Sequence, residues 1–373
     1  MTEKIPSERL RDVNAEVAAA FKAMRQAIEK AGPLDYATRE YIMLAAFAAA
    51  GYEESFGIHV QRAAERGLPL PAVRQAVLIP FGATTAMLPI VNALQWADEA
   101  YAAYKPPIAT VASRDGTAIG YSRTGDGPSL LLVHGSSSER SRWTPVLPRL
   151  QRSRTVLAVD RRGRGASSDA ANYRMEAEFD DVAAVLDSLS SPADVVAHSY
   201  GALCALEASL RTRNIRRLVL YEPPIAARAA SADEAKGFEA VVDEIEACIG
   251  RNERAAALET FFTKVLRMPE AEIARARGLP SWPARLALVH TLPRELRSSR
   301  AYKFDAARFR DHRIPALIVL GGESPQRHKD TTALLHESLA GSKVAVLAGQ
   351  GHGGIDGAPE LFAATVMDFL ERN

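Results

Sequence analysis

A serine stands in a motif of small residues that suits covalent catalysis. The motif Ala197-His198-Ser199-Tyr200-Gly201 follows the apolar run ADVV and opens the helical run ALCALEASLR. A small–x–Ser–x–Gly pattern between a strand and a helix is typical of a sharp turn that holds a serine hydroxyl outward, because only small flanking residues fit such a turn. We therefore predict that Ser199 is a nucleophile, with alanine in place of the usual first glycine.

A histidine far along the chain could activate that serine. His352 lies in the glycine-rich stretch GQGHGG, after the last apolar run and before the last helical pattern. An imidazole can take the proton of a serine hydroxyl and later return it to the leaving group. The chain has 8 histidines, and His352 is the one placed where the chain order serine, acid, histidine requires the base.

Two carboxylates compete for the role of the third catalytic group, which orients the histidine and stabilises its charged form. Glu323 lies in the segment GGESP, where the common pattern has an aspartate at the position of Ser324. Glu222 ends the run RRLVLYE, which follows the helix after the serine motif. We favour Glu222, and the sequence leaves both carboxylates open.

Two backbone amides could stabilise a negatively charged oxygen beside the serine. His134-Gly135-Ser136 follows the apolar run SLLLV. A strand that ends in His-Gly turns back so that the next N–H points into the site. The N–H groups of Ser136 and Tyr200 would then hold the oxyanion that develops during acyl transfer.

These groups must be positioned by a fold, and the sequence after residue 105 alternates short apolar runs with helical stretches. The apolar runs are TVAS, AIGYSR, SLLLVHG, TVLAVDRRG, ADVVAHS, RRLVLYE, PALIVLGG and KVAVLAG, and amphipathic helical stretches separate them from the third run onward. This alternation predicts an α/β fold over residues 106–373, with a doubly wound, mostly parallel sheet and helices on both faces. The first two runs, joined at Arg114-Asp115-Gly116, predict an antiparallel hairpin at the sheet edge.

A strand-free region from about residue 226 to 312 interrupts that alternation. Its helical patterns stand at the carboxyl end of the predicted sheet, where open parallel sheets bind ligands. We therefore predict a helical lid over a pocket. The lid residues expected to give that pocket an apolar wall are Phe261, Phe262, Trp282 and His290.

Residues 1–105 show only helical patterns. The stretch RLRDVNAEVAAAFKAMRQAIEKAG predicts one helix that Ser7 can cap, and later helices are predicted to end at Gly51 and Gly67. The segment Lys105-Pro106-Pro107 reads as the linker to the second domain. The helical domain has more alanine and leucine than its own core needs, which predicts an oligomer interface.

Composition excludes several classes of function. A length of 373 residues fits two domains, and a formal net charge of +1 gives no field for holding nucleic acid or an anionic membrane. The most apolar stretch, Ala76 to Val91, contains two prolines and is too short to span a bilayer. The two cysteines, Cys204 and Cys248, lack metal-ligand spacing and favour a reducing compartment. With a polar, charged beginning, these features predict a soluble cytoplasmic protein without a metal.

The second half resembles the α/β-hydrolase family over about Pro106 to Asn373. The ordered motifs VHG, VDRRGRGAS, AHSYGA, LYEPP, GGESP and GQGHG carry the resemblance. It implies a serine hydrolase that uses Ser199, His352 and a carboxylate and needs no cofactor. A serine rather than an aspartate nucleophile argues against the dehalogenases and epoxide hydrolases of similar fold. The expected substrate is a small carboxylic ester or lactone.

The first half resembles the AhpD and carboxymuconolactone decarboxylase family over roughly Asp35 to Tyr104. The spacing of Glu40, Tyr52, Ser55 and His59 carries the resemblance. It implies an all-helical domain that forms trimers or hexamers. Peroxidase-type members have cysteines where Tyr52 and Ser55 stand, so thiol peroxidase chemistry is not expected here.

Two further interpretations follow from these resemblances. Glu40 and His59 could form a proton relay, or simply a buried pair that joins two helices. Because decarboxylase and enol-lactone hydrolase act in succession in the ketoadipate pathway, the alternative function is a bifunctional carboxymuconolactone decarboxylase and enol-lactone hydrolase. A third interpretation, in which the helices only assemble the protein and the second domain binds without catalysis, is disfavoured by the intact serine, histidine and oxyanion set.

Overall fold

The structure is a computed structural model that describes residues 6–104 and 106–372. The chain divides into two compact units, Met1–Lys105 and Pro106–Asn373. This division falls at the proline-containing segment that reads as a linker in the sequence.

The first unit is helical, as the sequence predicts. Its helices are α1 (Pro6–Val13), α2 (Ala15–Lys30), α3 (Tyr36–Ala50), α4 (Glu53–Glu65), α5 (Leu70–Leu78) and α6 (Met87–Ala103). Helices α3 to α6 share a core in which Leu44, Phe56 and Val60 are fully buried. Asp35 caps α3 by accepting the N–H of Thr38 at 2.7 Å.

The prediction of one helix before Gly32 is wrong, because the chain breaks between α1 and α2 at Asn14. Asn14 is extended (φ −153°, ψ 105°), and its side-chain oxygen accepts the N–H of Val17 at 3.0 Å. Asparagine is among the residues that most favour the N-cap position, so it starts a new helix instead of continuing the old one. Helix α1 itself begins at Pro6, so Ser7 lies inside it.

Helix α2 has no buried residue. Its large apolar side chains fall on one face at helical spacing, and each is between 46% and 53% exposed: Val17, Phe21, Met24 and Ile28. A continuous exposed apolar stripe of this kind is unusual on a protein surface.

The second unit contains an eight-stranded sheet in the order β1-β2-β4-β3-β5-β6-β7-β8. The strands are β1 (Ile108–Ala112), β2 (Ala118–Thr124), β3 (Ser129–Val133), β4 (Thr155–Val159), β5 (Ala193–His198), β6 (Ile215–Tyr221), β7 (Ala316–Gly321) and β8 (Lys343–Leu347). Strands β3 to β8 run parallel, while β1 and β2 form an antiparallel hairpin at one edge. All eight apolar runs therefore form strands, and the predicted mostly parallel sheet and edge hairpin are confirmed.

Helices cover both faces of this sheet. The helices of the second unit are α7 (Leu147–Leu150), α8 (Met175–Asp187), α9 (Tyr200–Ala208), α10 (Ala232–Gly250), α11 (Arg254–Thr260), α12 (Glu270–Arg277), α13 (Trp282–Ala287), α14 (Leu292–Ala301), α15 (Gln326–Ser338), α16 (Gly354–Gly357) and α17 (Pro359–Arg372). One core cluster contains Phe179 of α8 and Leu203 of α9, and a second contains Trp143 and Phe362 of α17. Two separate clusters are what a sheet covered on both faces requires.

Between β6 and β7 the chain forms only helices, from α10 to α14, together with short 3₁₀ and π turns. This lid has a core of its own that includes Val242, Ile245 and Phe262. Helix α14 is tied to the body of the domain by Glu295, whose carboxylate forms ion pairs with Arg161 and Arg164. All three side chains are at most 2% exposed, so this tie lies in the interior.

Candidate active site

Ser199 occupies a strained turn between β5 and α9. Its φ of 54° and ψ of −127° lie in a region that residues other than glycine rarely adopt and that persists only where surrounding structure enforces it. The Ser199 N–H donates to the carbonyl of Tyr221 at 2.8 Å. A Cβ on Gly135 would lie 2.8 Å from the Ser199 Cβ, so the turn after β3 can approach the serine only because it is glycine.

His352 and Glu222 form a hydrogen-bonded pair beside this turn. The distance from His352 Nδ1 to Glu222 Oε2 is 2.7 Å. Glu222 directly follows β6 with a φ of 46°, and its Oε1 accepts the N–H of Gly321 at 2.8 Å. With Nδ1 donating to the carboxylate, the His352 Nε2 is left with a free lone pair that can accept a proton.

Opposing effects set the pKa of Glu222. Burial alone would raise the pKa, but the hydrogen bond and charge of His352, together with His328 and Ser324, outweigh burial and lower it to about 2. Glu222 is therefore a carboxylate at every pH near neutrality and can balance a positive charge on His352.

Ser199 and His352 line the same cleft, yet no hydrogen bond joins them among the described residues. In enzymes without bound substrate the contact between nucleophile and base is often longer than a hydrogen bond and tightens when substrate binds. The structure thus brings the two side chains to one cleft without a hydrogen bond between them.

The second candidate acid, Glu323, does not reach the histidine. Its side chain is exposed and has no hydrogen bond or ion pair within the described part of the chain, while its N–H donates to the carbonyl of Gln350 at 2.9 Å. Of the two carboxylates that the sequence leaves open, only Glu222 contacts His352.

The two candidate oxyanion donors flank the serine. Ser136 follows Gly135 and lines the cleft, and Tyr200 is the first residue of α9. A first-turn N–H has no acceptor within its own helix and is free to bind a ligand. The Tyr200 side chain takes no part in the cleft, since its hydroxyl lies 2.6 Å from that of Tyr173.

Sequence reasoning missed three residues that hold the His352 loop. The Tyr221 hydroxyl donates to the carbonyl of Gly351, and His198 Nε2 donates to the carbonyl of His352 at 3.0 Å. The His328 ring stacks on that of His352 with centroids 5.2 Å apart. Burial, reinforced by the positive charge on His352, lowers the pKa of His328 to about 3, so His328 stays neutral. Tyr221 and His198 directly precede Glu222 and Ser199, and this adjacency was the available signal.

The same histidines raise the question of a metal. The ligand-type atoms of Glu222, His328 and His352 lie within 4.8 Å of one another, so this set could hold a metal ion by composition. The 2.7 Å between Glu222 and His352 is shorter than the ~3.3 Å that separates two ligands of a tetrahedral zinc ion. The pair thus has the spacing of a hydrogen bond.

The cleft in front of Ser199 has about 60 Å³ of free space and opens to solvent at its mouth. Its apolar wall comes from the lid and includes Phe261 and Phe262 as predicted, with Leu266 and Met268. The other two aromatic-type residues predicted for the wall do not line the cleft. Trp282 packs behind Phe262 with ring centroids 6.1 Å apart, and His290 is exposed.

The cleft also contains charged groups that the sequence analysis did not single out. Arg142 precedes α7, Arg285 lies on α13, and Asp356 lies on α16 just after the catalytic histidine candidate. Both guanidinium groups contact Oδ2 of Asp356.

In the helical unit, Glu40 of α3 and His59 of α4 are brought together. His59 Nδ1 lies 2.5 Å from Glu40 Oε1, and the two side chains are 13% and 8% exposed. The Phe47 ring packs against the His59 ring at 5.0 Å. Tyr52, at the start of α4, is exposed.

No helix among the described residues combines the length and the apolar character needed to cross a membrane.

Comparison with known proteins places the second unit among hydrolases. Residues 130–365 match the sequence pattern of the alpha/beta hydrolase family. The pimeloyl-[acyl-carrier protein] methyl ester esterase of Neisseria meningitidis serogroup C is 30% identical over 242 residues, which cover 64% of this chain and 92% of the esterase. The match to the family begins at residue 130, so the helical unit lies outside it.

Solved structures show the same fold. An alpha/beta hydrolase from Sphaerobacter thermophilus superposes with a TM-score of 0.60 at 32% identity, over 70% of this chain and all of that chain (100%). An enol-lactonase from Burkholderia xenovorans has a TM-score of 0.56 at 22% identity, over 71% of this chain and 100% of its own. By fold, by sequence pattern and by these relatives, the chain belongs to the alpha/beta hydrolase family.

Proposed function

We propose that this protein is a serine hydrolase that cleaves carboxylic esters or lactones through an acyl-enzyme on Ser199. The observation that carries the proposal is that His352, which is paired with the buried carboxylate Glu222, lines the same cleft as the strained Ser199. A nucleophile, a base and a group that orients the base are the minimum set for this chemistry.

In the first half-reaction the Ser199 Oγ attacks the substrate carbonyl carbon while His352 Nε2 takes the hydroxyl proton. Glu222 holds the Nδ1–H of His352 and balances the charge of the imidazolium. The N–H groups of Ser136 and Tyr200 bind the carbonyl oxygen as it becomes negative. His352 then gives its proton to the departing alcohol oxygen, and the acyl group remains on Ser199.

In the second half-reaction a water molecule replaces the alcohol. His352 removes a proton from this water as it attacks the acyl-enzyme, and the proton passes to Ser199 Oγ when the ester bond breaks. The products are a carboxylic acid and the free enzyme. In a lactone both products remain one molecule, a hydroxy acid.

The named relatives support esters and lactones as the substrate class, since they include a methyl ester esterase and an enol-lactonase. Turnover of a panel of carboxylic esters and lactones by the purified chain tests the proposal. We expect acid release from at least one of them and labelling of the protein by a fluorophosphonate. Absence of both from a folded protein would contradict the proposal and revive the interpretation as a binding protein.

The contact between Glu40 and His59 favours a second candidate function for the helical unit. A carboxylate in direct contact with an imidazole can relay a proton, which the decarboxylation of a carboxymuconolactone requires. The complete chain would then be a bifunctional enzyme whose second unit opens the resulting enol-lactone. This reading rests on the resemblance to the AhpD and carboxymuconolactone decarboxylase family.

Substitution of His59 distinguishes a catalytic role of the Glu40–His59 pair from a purely structural one. In the bifunctional enzyme, His59→Ala is expected to lower carbon dioxide release from a carboxymuconolactone by about 100-fold or more, because the relay loses its acceptor. Arg74→Gln is the matched control, since Arg74 forms an exposed ion pair with Asp98 in the same unit. If the unsubstituted protein releases no carbon dioxide, the pair is structural.

The apolar stripe on α2 supports self-association. We infer that a second copy of this chain covers Val17, Phe21, Met24 and Ile28, because so large an exposed apolar surface is unfavourable in water. The particle mass in solution would then exceed the 40.3 kDa of one chain.

A further inference from the structure

Positively charged residues outnumber negatively charged ones in the lining of the cleft. They comprise three arginines, Arg142, Arg275 and Arg285, and two carboxylates, Glu272 and Asp356. Glu222 lies behind His352 and does not line the cleft. The cavity in front of Ser199 therefore carries one positive charge in excess while His352 is neutral.

Two of these arginines share a single acid. Arg142 Nη1 forms an ion pair with Asp356 Oδ2, and Arg285 Nη2 lies 3.5 Å from the same oxygen. The side chains of Arg142 and Arg285 are only 4% and 11% exposed. One carboxylate can neutralise only one of two such guanidinium groups, so the pair keeps a net positive charge away from bulk water.

Of the two arginines, Arg285 has the longer contact with Asp356 and a donor atom without a partner. Its Nε is buried and has no hydrogen-bond partner among the described residues, and its only ion pair is the long one to Asp356. Burial, with the neighbouring charge of Arg142, lowers the pKa of Arg285 to about 10, while Asp356 raises it only in part. Because the Arg285 side chain lines the cleft and is 11% exposed, its incompletely balanced charge can attract an anion that enters there.

Arg285 lines the same cleft as the proposed catalytic residues Ser199 and His352. Arg285 comes from α13 of the lid, with its guanidinium 5.8 Å from the centre of the Phe262 ring that forms the apolar wall. Asp356 lies four residues after His352, so the arginine pair sits in the same cavity as the proposed base. A substrate with its ester carbonyl at Ser199 and an anion at Arg285 would lay its hydrocarbon chain along this cleft, whose lining includes both residues and Phe262.

From these observations we propose that Arg285, supported by Arg142, is a carboxylate-binding residue and that the preferred substrates are esters or lactones carrying a free carboxylate. This inference rests on the proposed hydrolase function and narrows its substrate class. Arg285 acts on binding and specificity, while Ser199 and His352 act on the bond that breaks. The exposed Arg275 adds positive charge to the cavity lining, where Glu272 offsets it.

A matched pair of substrates measures this preference. Methyl hydrogen adipate and methyl hexanoate have the same leaving group and acyl length, and only the first ends in a carboxylate. We expect kcat/KM of the unsubstituted protein to favour the adipate ester by at least about tenfold, because a buried donor set rejects a ligand that leaves it unpaired. Equal values, or a preference for the hexanoate ester, would overturn the inference while leaving the hydrolase function in place.

Substitution assigns the preference to Arg285. Arg285→Gln is expected to lower the ratio of the two kcat/KM values by at least about tenfold, mainly through a higher KM for the adipate ester. Arg285→Lys, which keeps the charge, should retain part of the ratio. Arg277→Gln is the control, since Arg277 pairs with Glu259 and Glu270 on the exposed surface of the lid and does not line the cleft. A purely structural role of Arg285 would lower both kcat/KM values equally and leave their ratio unchanged, which would refute the assignment.

A binding measurement on a protein that cannot turn over substrate distinguishes the carboxylate-site proposal from the hydrolase proposal. Calorimetric titration of the Ser199→Ala protein with methyl hydrogen adipate and with methyl hexanoate should show binding of the adipate ester that is at least about tenfold tighter and is lost when Arg285→Gln is added. If the anion binds in this way but no ester or lactone is hydrolysed by the unsubstituted protein, the carboxylate site stands and the hydrolase proposal fails. If esters are hydrolysed but the adipate ester binds no more tightly than methyl hexanoate, the carboxylate site fails alone.

Discussion

Replacing Ser199 by alanine is expected to lower kcat/KM for p-nitrophenyl esters by about 10⁴-fold or more. The methyl group of alanine cannot attack a carbonyl, so no acyl-enzyme forms. The oxyanion donors and the cleft remain, so a small residual rate above that in water is expected. Initial rates of p-nitrophenol release at neutral pH measure the effect.

The loss of activity can be attributed to the missing hydroxyl only if the Ser199→Ala variant remains folded. Alanine lacks the hydroxyl but can occupy the same turn, and the φ of 54° is already imposed by the surrounding strands. Ser188→Ala, at an exposed position just after α8, is the matched control and should retain full activity and full fluorophosphonate labelling. Turnover near that of the unsubstituted protein in the folded Ser199→Ala variant would rule out the mechanism.

Replacing Glu222 by glutamine is expected to lower kcat by about 100-fold or more, whereas Glu323→Gln should change it by less than about twofold. The Glu222 amide has the shape of the carboxylate but no negative charge. It can no longer balance the imidazolium, and its NH₂ group can hold the wrong tautomer of His352. Glu323 is exposed and does not touch His352, so its charge has little influence on the reaction.

The two variants also test which strand end carries the acid. Both carboxylates follow neighbouring parallel strands, β6 and β7, so the substitutions are matched in chemistry and differ in contact. Measurement of kcat for the same p-nitrophenyl ester in both proteins gives the comparison. A hundredfold loss confined to Glu323→Gln would assign the role to the other carboxylate and contradict the pairing proposed here.

The fold could be predicted from the sequence because its signals are local. Each strand is a short apolar run bounded by glycine, proline or aspartate, and all eight runs form strands. The break at Asn14 is also a local event, but its helical periodicity continues on both sides and hides it. There the capping hydrogen bond of one side chain outweighs a repeating pattern.

The candidate site could be predicted only in part, because some of its contacts join residues that are distant in the chain. The turn that holds Ser199 has a sequence motif, and so does the loop of His352. The choice between Glu222 and Glu323 depends on which strand end faces the imidazole, and no local pattern contains that information. The arginine pair is harder still, since Arg142 and Arg285 meet only through Asp356.

The buried carboxylate of Glu295 constrains how this protein can change over evolution. Lifting α14 away from the sheet would separate Glu295 from both guanidinium groups; Arg161 would keep its ion pair with Glu178, while Arg164 would lose its ion pair. Removing one partner of such a buried pair costs about 3–5 kcal/mol. A lid held by such buried ion pairs is expected to stay closed on the domain rather than to swing open. New specificities are then expected to arise by exchanging side chains on its inner lining, such as Leu266 and Met268, while the frame that carries them stays in place.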